Sequence, residues 1–138
     1  MVGKSKAATK DEKSRMDWIG QQYGGCIPCL LTGNPQREAT VQHIVEGSKR
    51  LGHTSTYGSC VWHHLGNPPE MPSPSLHNGK KTFQAYFGAE TTLCDLQTFL
   101  IEAWKIHFWV PWHIPPEVIS ELRTLWGKLM IDDPYYEG

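Results

Sequence analysis

Two short pairs of metal-binding residues constrain this chain more than any other feature of its sequence. Cys26 and Cys29 are separated by two residues, and farther along the chain Cys60 and His63 repeat that spacing. Such spacing lets one tight turn direct both side chains at a single ion. Two pairs together supply the closed tetrahedral set of sulfur and nitrogen ligands that structural zinc prefers. The sequence therefore predicts a structural Zn²⁺ site with these four residues as its ligands.

Three further histidines lie between the two pairs or after them. His64 directly follows His63, so the His64 imidazole must point elsewhere if His63 faces the zinc. His43 lies between the two pairs, and His77 lies beyond the second pair. We therefore expect one metal site that stabilises the fold and, beside it, a second group of residues available for chemistry.

The composition indicates one small domain with many loops. Apolar residues make up 39% of the 138 residues, and 13 glycines and 10 prolines occur, so the core must be modest. Domains with little core often use a metal ion to hold the fold together. A net charge of −1 excludes a strongly basic protein. Most lysines and arginines nevertheless lie in the first 81 residues, where they could contact the phosphates of a nucleic-acid backbone.

The cysteines and the hydropathy pattern indicate the compartment. Three of the four cysteines belong to the metal-type spacing, which suits a reducing environment better than a disulfide framework. No apolar run follows the first lysines, and no stretch approaches the roughly 20 apolar residues of a membrane helix. We therefore expect a cytoplasmic protein with no signal peptide and no membrane partner.

The residue patterns predict a strand pair before the second metal pair and helices after it. A loose tail over 1–9 precedes a helix that runs to about residue 22. Alternating β-branched residues predict a strand over 39–45, which carries His43, and a second strand over about 56–61. Residues 66–79, rich in proline, glycine and asparagine, predict a long irregular loop.

The last part of the chain is predicted to be helical. Helices are expected over 80–87, over about 92–107 with a threonine cap, and from Pro115 to about Met130. The aromatic run 108–112 between the last two is expected to serve in packing or in an oligomer contact. A strand, a second strand closed by a knuckle, and a helix together predict an α+β fold, a small zinc-stapled ββα-metal core with an N-terminal helix and additional C-terminal helices.

The order of these motifs resembles a known family. Gln42-His43-Ile44 followed by Cys60-x-x-His63-His64, after an initial Cys-x-x-Cys, resembles the zinc-knuckle branch of the HNH (His-Me finger) endonucleases. More narrowly, the chain is similar to the phage Ref-type recombination-enhancement nucleases, described as RecA-dependent. Their downstream element of histidine, glycine and spaced aromatics matches the segment 76–88 here. The resemblance covers about residues 10–105, which it implies are the nuclease domain, with 106–138 as a helical C-terminal extension.

The resemblance implies roles for individual residues. His43 would be the general base, and His64 would bind a catalytic divalent cation, with His77 as a second ligand or a phosphate contact. His53 could join the same cluster. Gln42 stands where the family usually has aspartate or histidine as a metal ligand, so either its amide oxygen or water would fill that position, or the cation would bind weakly.

The resemblance also implies cofactors and partners. Besides the structural Zn²⁺, it implies a catalytic Mg²⁺ or Mn²⁺, or a second Zn²⁺. DNA would be the substrate and a RecA-type recombinase filament a partner, in a bacterial host cytoplasm. Four basic residues are the candidate phosphate contacts: Lys49, Arg50, Lys80 and Lys81.

Two classes of function remain open on the sequence. The first is a metal-dependent DNA endonuclease acting in recombination or repair, favoured by His43, His64 and His77. The second is a zinc-stapled binding module with weak or no cleavage that binds DNA or a host protein through the tryptophan-rich C-terminal third. Gln42 and the near-neutral net charge favour the second.

Overall fold

The computed structural model describes residues 9–34, 36–46, 49–50, 55–65, 75–76 and 79–135, without the side chains of 45–46 and 49–50. The tail 1–8, His53, His77 and most of the predicted loop 66–79 lie outside the described residues. The described residues form helices and strands in this order: α1 Lys10–Gly20, α2 Ile27–Leu31, β1 Thr40–His43, β2 Val45–Glu46, β3 Lys49–Arg50, β4 Thr56–Ser59, α3 Val61–His64, α4 Lys80–Phe87, α5 Glu90–His107 and α6 Pro116–Ile131.

The predicted strand pair forms a two-stranded antiparallel sheet. Thr40 of β1 lies opposite Ser59 of β4, and His43 lies opposite Thr56. The predicted strand over 39–45 is interrupted at Ile44, after which β2 pairs with β3 in a separate two-stranded sheet. The predicted second strand ends at Ser59, two residues early, because Cys60 already caps the short helix α3.

Side chains from two helices occupy the outer edge of β4. The Gly58 backbone N–H donates to Gln97 Oε1 of α5 at 2.9 Å. Arg15 of α1 donates through Nη2 to the Thr56 carbonyl at 2.7 Å and to the Cys94 carbonyl at 3.1 Å. These bonds attach β4 to α1 and α5. They also occupy backbone N–H and C=O groups of the edge strand that could otherwise pair with another chain.

The helix boundaries follow from their caps. α1 begins at a capping box in which Thr9 Oγ1 accepts from the Glu12 N–H, as the sequence allows, but it ends at Gly20 rather than near residue 22. α4 has the predicted bounds. α5 begins at Glu90, two residues before the prediction, because Asp133 accepts hydrogen bonds from the Ala89 N–H at 2.8 Å and from Thr92 Oγ1 at 2.6 Å. A residue distant in sequence therefore caps α5.

One hydrophobic core joins the helices to the sheet. It includes Ile19 of α1, Tyr57 of β4, Phe83 of α4 and Leu96 of α5, together with Val118 of α6. Of the aromatic run 108–112, only Trp109 is buried. The result is the predicted α+β architecture of helices around a small sheet. No helix in the described part of the chain is long and apolar enough to span a membrane.

Candidate functional site

The four predicted zinc ligands form one buried cluster. The donor atoms of Cys26, Cys29, Cys60 and His63 all lie within 4.8 Å of one another, and all four residues are buried. Within the described residues this is the one group of three or more such side chains with metal-site geometry. Sequence spacing alone therefore located the cluster.

Both halves of the cluster have the same local construction. Cys26 is the N-cap of α2, and Cys29 follows one turn later at the third helical position. Cys60 is the N-cap of α3, and His63 stands at the equivalent third position. Residues three apart at the start of a helix face the same side, so each short helix presents its two donors together. The spacing of the first pair predicted a tight turn, and the structure has the short helix α2 at that place.

Close backbone approach brings the two halves together. A Cβ on Gly58 would come within 3.0 Å of the Gly25 carbonyl, and a Cβ on Gly25 would lie 2.6 Å from the Arg37 carbonyl oxygen. Gly25 also has φ +69, a conformation that favours glycine. The Arg37 carbonyl accepts from the Cys26 N–H at 3.1 Å. These glycines let the first zinc knuckle, residues 26–29, lie directly against β4, which leads into the second zinc knuckle, residues 60–63.

The distances within the cluster fit a tetrahedral zinc ion. His63 Nδ1 lies 3.5, 3.4 and 3.3 Å from the sulfurs of Cys26, Cys29 and Cys60, and the last two sulfurs are 3.7 Å apart. Tetrahedral Zn²⁺ with bonds of about 2.3 Å to sulfur and about 2.0 Å to nitrogen separates sulfurs by about 3.8 Å and sulfur from nitrogen by about 3.5 Å. The Cys₃His set could therefore hold structural zinc with little movement.

The protonation of the thiols also favours a cation. Hydrogen bonding with Cys26 and then Cys29 lowers the pKa of the Cys60 thiol far below its usual range. Burial raises the pKa of the Cys26 thiol well above its usual value. Without a metal ion, Cys60 would therefore be a thiolate while Cys26 stayed a neutral thiol. Three thiolates in one buried cluster require a divalent cation.

Two of the predicted catalytic histidines, His43 and His64, lie in the described residues, and His64 directly follows the cluster residue His63. His63 is buried, its imidazole edge against Phe87 with ring centroids 5.7 Å apart. His64, the next residue of α3, is half-buried and is not among the four clustered ligands. His43 ends β1 and is half-buried. His77 and His53 lie outside the described residues.

Gln42 has a defined partner. Its Nε2 donates to the carbonyl oxygen of His43 at 3.0 Å. Because an amide coordinates a cation through its oxygen, this bond leaves the Oε1 acceptor for that role and commits the nitrogen to the strand that carries His43.

The predicted phosphate contacts lie on two elements. Lys80 and Lys81 open α4 and are exposed. Lys49 and Arg50 form β3, and their side chains are not described.

Two contacts near the cluster were not predicted from the sequence. Tyr57 Oη donates a buried hydrogen bond to Glu90 Oε2 at 2.8 Å, and the Arg37 guanidinium stacks on the Trp62 ring. Neither contact has a spacing signal, since each joins residues at least 25 positions apart.

Comparison with known proteins gives one family. No curated protein and no solved structure matches the chain. The family model described as "Recombination enhancement, RecA-dependent nuclease" matches residues 8–102, which include the metal cluster, β1 and α3. That match spans well over half of the chain, so the protein belongs to the recombination-enhancement, RecA-dependent nuclease family.

Proposed function

We propose that this protein is a metal-dependent DNA endonuclease of the HNH type that is encoded by a phage and acts in recombination. The observation that carries the proposal is the family match over residues 8–102, because membership supports a recombination-related nuclease role. We assign the nuclease domain to residues 10–105 and treat 106–138 as a helical extension. A RecA-type filament would be the partner that the family description implies.

The proposed roles follow the chemistry of phosphodiester hydrolysis. His43, which is half-buried at the end of β1, would remove a proton from the attacking water, since imidazole is the side chain that most often acts as a general base. His64, His77 and the oxygen of Gln42 would hold a divalent cation such as Mg²⁺ or Mn²⁺. That cation would polarise the phosphate and stabilise the leaving oxygen. Lys49, Arg50, Lys80 and Lys81 would contact the DNA backbone.

The zinc cluster would serve the fold rather than the reaction. All four donors come from the protein and all are buried, so a tetrahedral ion there would have no open position for water or substrate. His64 would then be positioned by its neighbour His63, whose ring is fixed in the cluster.

A second candidate function is a zinc-stapled module that binds DNA or a host protein with little or no cleavage. The neutral amide of Gln42 favours it, because this residue offers no carboxylate where the family is expected to have a metal ligand. The exposed apolar residues on the C-terminal side of α5, Phe108 and Val110 among them, would be the docking surface.

One experiment separates the two candidates. Purified protein is incubated with single- and double-stranded DNA plus Mg²⁺ or Mn²⁺, with and without a RecA filament, alongside His43→Ala. We expect cleavage by the wild type and a loss of about 100-fold or more in the variant, the usual contribution of a general base. Equal, intact DNA in both reactions under all conditions would reject the nuclease.

A further inference from the structure

Beside the metal cluster, an arginine stacks on a tryptophan. The Cζ atom of Arg37 lies 3.8 Å from the centroid of the Trp62 ring. Trp62 occupies the position between Cys60 and His63 of the second knuckle and is followed, two residues later, by His64. The stacked pair is therefore next to the zinc ligands and on the same helical turn as a proposed catalytic residue.

Both partners are fixed by the cluster itself. Trp62 is half-buried and packs against the group formed by Cys26, Cys29, Ala39 and Cys60. The Arg37 backbone carbonyl accepts from the Cys26 N–H, which ties the arginine to the first knuckle. The guanidinium thus lies on an aromatic ring that packs against three of the candidate metal ligands, and stacking restricts the arginine side chain before any ligand binds.

The charge of this arginine has no carboxylate partner in the described part of the chain. The ion pair found there joins Lys105 to Glu102, and Arg37 is half-buried without one. The Arg37 Nε atom is shielded and has no hydrogen-bond partner among the described residues. Stacking on an aromatic ring leaves the N–H groups at the guanidinium edge directed into the plane, the arrangement that matches two phosphate oxygens.

We propose that Arg37, held on Trp62, is a binding site for a backbone phosphate of the DNA strand that passes the second zinc knuckle. The inference rests on the proposed nuclease function and adds a contact outside the four basic residues predicted from sequence. A phosphate here would lie beside α3 and so bring the strand to the element that carries His64. The same positive charge would also offset the net negative charge of three thiolates around Zn²⁺, so zinc retention has to be measured separately.

The test measures DNA binding without cleavage. Fluorescence anisotropy with labelled single- and double-stranded oligonucleotides, in Ca²⁺ and at several salt concentrations, compares the wild type with Arg37→Gln, Arg37→Lys and Lys128→Ala. Glutamine can still lie flat on Trp62 but carries no charge, whereas lysine keeps the charge without the planar fork. Lys128 is an exposed residue of α6 and serves as the control.

We expect Arg37→Gln to lower DNA affinity about ten- to a hundredfold, the loss of one charge-assisted contact. The slope of log affinity against log salt should fall by about 0.7 to 0.9, the value for one phosphate. Arg37→Lys should keep most of that slope and lose part of the affinity, and Lys128→Ala should match the wild type. Zinc content by mass spectrometry should be the same in all four proteins.

A second measurement does not depend on the affinity of the variants. In the wild-type protein, the NMR signal of the Arg37 Nε–H group, assigned by its absence in Arg37→Gln, should shift on addition of DNA. An unshifted signal, or an Arg37→Gln variant with full zinc that binds DNA as the wild type does, would overturn the phosphate site while cleavage by the wild type upheld the nuclease. If the wild type neither binds nor cleaves DNA, the proposed function fails and this site fails with it.

Discussion

Gly25 gives the sharpest test of how the knuckle is held together, because alanine there meets both a backbone and a steric obstacle. Its φ of +69 disfavours any side chain, at a cost of about 1–2 kcal/mol. A Cβ would also lie 2.6 Å from the Arg37 carbonyl oxygen, and real Cβ contacts are essentially never under 3.0 Å, so the two backbones must separate by at least 0.4 Å. Crowding of this kind adds roughly 1–3 kcal/mol.

The expected effect on stability follows from these two costs. Gly25→Ala should lower the free energy of unfolding by about 3 kcal/mol, which for a domain of this size lowers Tm by about 10 °C. Zinc binding should suffer as well, because Cys26 is the next residue and metal–ligand distances tolerate only about 0.2 Å. The measurements are thermal unfolding by circular dichroism and zinc affinity by competition with a chromogenic chelator.

Substitutions at two other glycines separate the backbone cost of Gly25→Ala from its steric cost. Gly33 has φ +78, and in the described part of the chain no atom beyond its two neighbours lies within 4 Å of the position that a Cβ would take, so Gly33→Ala carries the backbone cost alone, about 1 kcal/mol. Gly127 lies within α6, where a Cβ would likewise meet no described atom within 4 Å outside its own helix, and Gly127→Ala should stabilise the protein by up to about 1 kcal/mol. If Gly25→Ala lowered Tm no more than Gly33→Ala and bound zinc as tightly as that variant, the inference that the first knuckle lies tightly against Arg37 would be wrong.

Two further predictions concern the metal and the cap of α5. Removing zinc with a strong chelator should unfold the core and lower Tm, since ligand and folding free energies are coupled at such sites, and an apo protein of unchanged Tm would contradict a structural role. Asp133→Asn should lower the free energy of unfolding by about 1–2 kcal/mol in denaturant titration, because its buried carboxylate caps α5 through Ala89 and Thr92. The adjacent exposed Asp132→Asn is the control, and equal stability of both variants would refute the cap.

The parts of this fold that could be predicted from sequence are those fixed by neighbours along the chain. The bounds of α4 were predictable because Gly79 and Gly88 flank an amphipathic segment. The four metal ligands were predictable because a tetrahedral ion demands a definite spacing of donors. The start of α5 was not, because Asp133 supplies its cap from 41 residues beyond Thr92 and displaces the local threonine cap that the sequence suggested.

The same distinction explains the site. The catalytic roles of His43 and His64 were predicted from the order of the motifs in the sequence, and they stay predictions. The stack of Arg37 on Trp62 could not be predicted from the sequence, because it depends on how closely the first knuckle lies against β4. That distance is set by Gly25 and Gly58 and by no periodic pattern of residues. Contacts between residues on opposite sides of the metal cluster can therefore be identified only in the folded structure.

The single turn of α3 concentrates three separate tasks within four residues. His63 belongs to the metal cluster, Trp62 carries the arginine, and His64 is the proposed ligand of a catalytic cation. Because successive helical residues point about 100° apart, one rigid turn can present each side chain in a different direction. Loss of the structural metal should then disable all three tasks together, whereas a change at Arg37 or at His43 should disable one and leave zinc in place. This difference between zinc removal and the single substitutions, more than any single loss of activity, would show whether the metal cluster holds the other site residues in place.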